Sequence, residues 1–75
     1  MKKQETKFYI TFMNTEGNLV WWNPIDCNWQ TNPDGCRFCS VQVAQQNLRK
    51  LHCDNVDHSN TARVSDEFGH EIKID

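Results

Sequence analysis

No long apolar run occurs in this sequence, which excludes a membrane-spanning helix, since that needs about 20 mostly apolar residues. An apolar leader is missing too: Met1-Lys2-Lys3 is followed by the polar Gln4-Glu5-Thr6-Lys7, so no secretory signal is read there. The expectation is a cytoplasmic protein without a membrane partner, its four cysteines reduced unless a metal holds them. A basic excess is also lacking: 8 Lys and Arg stand against 10 Asp and Glu, for a net charge of −2. That balance argues against a dedicated nucleic-acid binder. Lys2, Lys3 and Lys7 read as part of a solvated end, with residues 1–6 a disordered tail. Gly17, Gly35 and Gly69 are isolated turn glycines, so no glycine-rich phosphate loop is present.

Catalytic constellations are equally scarce. Most acidic residues fall in turns and loops, where Asp is a common turn former. His58-Ser59 is a sequence neighbourhood, whereas a nucleophilic triad is a spatial one. At 75 residues the chain makes one domain, 1–75, in which a catalytic cleft is hard to build. No catalytic residue is assigned, and a non-enzymatic protein is expected.

What is present is aromatic and alternating. Phe8, Ile10 and Phe12 interleave with Tyr9, Thr11 and Met13, the period of a strand. Asn14 to Asn18 supplies a turn around Gly17, and Leu19-Val20-Trp21-Trp22 returns as the second strand until Pro24. Residues 23–39 read as one long loop containing the Asn32-Pro33-Asp34-Gly35 turn, with Trp29 and Phe38 to pack it down. Val41, Ala44, Leu48 and Leu51 form one helical stripe over 41–52, with Ser40 as N-cap. Ala62 and Val64, then Ile72 and Ile74, around Asp66–Gly69, read as a closing hairpin.

The fold class is therefore α+β, a two-layer ββαββ arrangement of four antiparallel strands with one helix on one face. Phe8, Ile10, Phe12, Val64, Ile72 and Ile74 are the expected inner set, while Tyr9, Thr11 and Met13 point outward beside Arg63, Ser65, Glu71 and Lys73. Trp21 and Trp22 must face opposite ways, which leaves one of them exposed on that reading.

The cysteines offer two chemistries. Cys36 and Cys39 form a CxxC pair with Cys27 nearby, and a structural zinc site would take these three with His70 or His58 as fourth ligand. Cys53 is excluded from it, because a helix over 40–52 separates Cys39 from Cys53 by about 20 Å. A CxxC pair before a helix also fits a redox thiol, though the parallel β-α-β unit of a thioredoxin site is missing.

The run Ala62-Arg63-Val64-Ser65-Asp66-Glu67-Phe68-Gly69-His70-Glu71-Ile72 resembles the terminal hairpin of small phage, prophage and bacterial accessory proteins. Phe8 to Phe12, Gly17 and Leu19 to Trp22 are similar to their first hairpin. The resemblance is one of pattern over most of the chain, and the cysteine-bearing loop has no counterpart in it. It implies a compact module that acts by binding. The expectation is thus a protein-binding module, a modulator of a host protein or a homodimer, that engages its partner through an open face of Tyr9, Thr11, Met13 and Trp22 and the loop carrying Trp29. The alternative is a zinc-stabilised module touching nucleic acid.

Overall fold

Apolar-rich segments build the first two antiparallel strands, β1 (Tyr9–Met13) and β2 (Leu19–Asn23), and the short polar-flanked β3 (Asn28–Gln30) pairs beside β2. The helix α1 (Val41–Cys53) and a short strand β4 (Arg63–Ser65) complete the fold. The computed structural model describes residues 7–66 and 68–72. The sheet order is β3-β2-β1-β4, with every neighbour antiparallel. This is the expected α+β class, four antiparallel strands with one helix packed on them.

The order along the chain is β-β-β-α-β rather than β-β-α-β-β. The extra strand comes from the segment read as a loop. Asn23 accepts the N–H groups of Ile25 and Asp26 on Oδ1, and Cys27 N–H donates to the Asn23 carbonyl at 2.8 Å. Pro24 therefore sits in a reversal that returns the chain as β3. At the other end, the expected closing hairpin consists of β4 and one bridge, Ser65 to Glu71. The expected Lys73 and Ile74 lie outside the described residues.

The first turn follows its chemistry. Asn14 Oδ1 accepts from Glu16 N–H and Asn18 N–H, and Gly17 takes φ +84°. Ser40 Oγ accepts the Val43 N–H at 3.2 Å and so caps α1. The helix buries Ala44 and Leu51 against Ile10, Phe12, Val20, Trp22 and Val64, with Phe38 and Ala62 closing the core. Its backbone lies over β1 and β4 and not over β2 or β3.

The far side of the sheet is not the open face the alternation implied. Tyr9, Thr11 and Ser65 are buried, and the Thr11 and Ser65 hydroxyls hydrogen-bond each other across the strands. Gln30 Nε2 donates to the carbonyls of Asn32 and Asp34, which draws residues 31–36 over the β2–β3 end of this face. At the other end Gly69 lies against Leu19, so close that an added Cβ would stand 2.7 Å from Leu19 Cδ2. Thr11, Ser65 and Gln30 on this face hydrogen-bond one another or the covering loop, whereas Trp21 Nε1, on the same face, is buried with no hydrogen-bond partner among the described residues.

Candidate functional site

The helix-side face carries the site, because a single helix over β1 and β4 leaves the β2–β3 corner uncovered. Trp22 and Trp29 are cross-strand partners, so both project to that corner. Their rings lie 5.1 Å apart at 66°. Phe12 meets Trp29 edge-on at 4.7 Å and stacks on His58 at 4.6 Å. Trp22 is buried and Trp29 half-buried.

The chain leaving the helix supplies the opposite wall. Asp54 caps the C-terminus of α1, Asn55 takes φ +55°, and Val56 N–H donates to the Leu51 carbonyl at 3.0 Å. Trp29 Nε1–H then donates to the Asp57 carbonyl at 3.0 Å and ties this loop to β3. Between the two walls is a cleft of about 420 Å³. Trp22, Trp29, Leu51 and Val56 form its apolar part, and Lys50, Asp54 and Asp57 add charge. A domain of this size was expected to lack a sizeable cleft. It has one because the helix is too narrow to roof four strands.

The residues predicted for partner binding are scattered by this arrangement. Tyr9 and Thr11 are buried on the far face, and Trp22 is 6% exposed in the core. Met13 is exposed at the end of β1, away from the cleft, and Trp29 reaches the cleft from the helix side. The predicted open aromatic face is thus replaced by a walled cleft that keeps Trp22 and Trp29. Leu51 was read from the sequence only as part of the helical stripe, and Val56, Asp54 and Asp57 were not named as site residues. The Asn23-Pro24 pair between two tryptophans was the available signal for the hairpin that creates the site.

The structure does not assemble the proposed zinc ligands. Cys36 is buried, whereas Cys27 and Cys39 are exposed, and all four cysteines are free thiols. Phe38 pairs with Phe8 in an isolated antiparallel bridge, between the buried Cys36 and the exposed Cys39. His70 faces Asp66, with Nδ1 3.5 Å from Oδ2, in the last turn. Among the described residues no three His, Cys, Asp or Glu side chains converge as a metal site. The redox reading meets an opposite electrostatics. Burial, reinforced by Asp34 and Asp26, pushes the Cys36 thiol above its ordinary pKa, which disfavours the reactive thiolate.

No protein-family model, curated protein or solved structure matches the chain significantly. The functional reading therefore rests on the cleft and its chemistry. Among the described residues, no helix is long and apolar enough to cross a membrane.

Proposed function

We propose that this protein is a non-enzymatic binding module that seats a side chain of a partner protein in the Trp22–Trp29 cleft. The observation that supports it is the cleft itself, walled by two adjoining indoles. Aromatic-lined pockets that accept one anchoring side chain are a common basis of protein recognition. The site is walled by residues of β2 and β3, the C-terminal end of α1 and the loop that follows it. The pattern-level resemblance to phage accessory proteins makes a host protein the first partner to try.

The test is site-specific photocrosslinking in a host lysate. A photoreactive residue at Asn28 or Asn47, both lining the cleft, is expected to give a discrete protein adduct. The same group at Thr15, on the distant β1–β2 turn, is expected to give none. Adducts that form at Thr15 and not at the cleft would discard this reading.

A further inference from the structure

We infer that the side chain taken by the cleft is cationic, a lysine ammonium or an arginine guanidinium of the partner protein. This rests on the reading of the cleft as the partner's seat. Three features of the cleft favour positive charge.

The first is the balance of formal charge. Asp54 and Asp57 stand against a single cation, Lys50. Lys50 and Asp54 are four residues apart at the helix end, so any pairing between them leaves Asp57 unmatched. Neither carboxylate has an ion-pair partner among the described residues.

The second is the backbone. The cleft opens beside the C-terminal end of α1, where the aligned peptide dipoles place partial negative charge. The third is the aromatic wall. Trp is the strongest side chain for cation–π attraction, and a cation over an indole face gains further when partly withdrawn from water. The apolar stretch of the wall, Leu51 and Val56, suits the methylene stem that a lysine or arginine carries behind its charge. An anionic or purely apolar side chain would use only part of this lining.

The experiment uses the full chain labelled with nitrogen-15 and two probes of matched shape. One is n-butylguanidinium and the other its neutral counterpart, n-butylurea. Both are read on the indole N–H resonances. The inference expects saturable movement of the Trp29 resonance by butylguanidinium, at an affinity roughly threefold or more above that of butylurea. It expects the preference to shrink in the chain carrying both Asp54→Asn and Asp57→Asn, where the helix end and the indole wall remain. Equal affinity for the two probes overturns it, as does stronger binding of pentanoate or no movement by butylguanidinium. Crosslinking at Asn28 separates the two levels of the reading. Adducts that persist undiminished in excess butylguanidinium retain the cleft as the seat and reject a cationic guest. Absence of cleft adducts rejects the seat itself.

Discussion

Single residues here act through hydrogen bonds that the fold makes available to them. Burial alone would raise the pKa of Asp66, but N–H donation from His70 and Phe68, with the neighbouring His70 imidazole, holds it below the ordinary carboxylate value. A carboxyl whose pKa is depressed by folding stabilises the native state above its unfolded pKa and loses that contribution as pH falls through the folded one. Stability is therefore expected to fall on acidification below about pH 4. In Asp66→Asn, which keeps the oxygen acceptor and removes the titration, that part of the decline should flatten in urea unfolding series at several pH values. The thiols give a second residue-level expectation. Iodoacetamide should label Cys27, Cys39 and Cys53 in the native chain well before the buried Cys36, as read by peptide mass spectrometry. Prompt labelling of Cys36 would contradict its burial.

At the scale of elements, caps and turns set the ends. Ser40→Ala removes the one side-chain acceptor at the start of α1 and is expected to cost about 1 kcal/mol, measured by the shift of the urea midpoint. Gly69 combines φ +87° with the approach to Leu19. Gly69→Ala is therefore expected to destabilise by about 1–2 kcal/mol, through left-handed strain and displacement of the Leu19 side chain. The same variant should raise the exposure of the far face, detectable as faster hydrogen exchange near Leu19. The helix periodicity and the first hairpin were legible in the sequence because each repeats one rule over many residues. Asn28 to Gln30 was not legible as a strand. It is three residues long, two of them polar, and becomes extended only because Trp22 offers Trp29 a cross-strand partner.

For the whole molecule, the decisive interaction joins segments far apart in the chain. Trp29 Nε1–H reaches the Asp57 carbonyl, 28 residues away, and fixes the width of the cleft. Trp29→Phe keeps the aromatic wall and loses that donor. It is expected to lower stability by about 1 kcal/mol, and to loosen the loop after α1 so that amide exchange at Val56 and Asp57 speeds up. Unchanged exchange there would mean that the loop is held by Phe12–His58 stacking instead.

The sequence by itself determined the local framework: strands from alternation, a capped helix from its stripe, turns at asparagine and glycine, and a class of four antiparallel strands with one helix. Those properties depend on neighbours along the chain, which the sequence states directly. Tertiary structure alone decided which face was open and which cysteine was buried. Tyr9 and Thr11 read as outward-facing because alternation gives the side of a residue but not what lies on that side. On that side Thr11 hydrogen-bonds Ser65 and Gly69 packs against Leu19, while the offset of α1 toward β4 leaves an opening at Trp22 and Trp29. Where a helix sits across a sheet is settled by packing between distant segments, and no local pattern carries it.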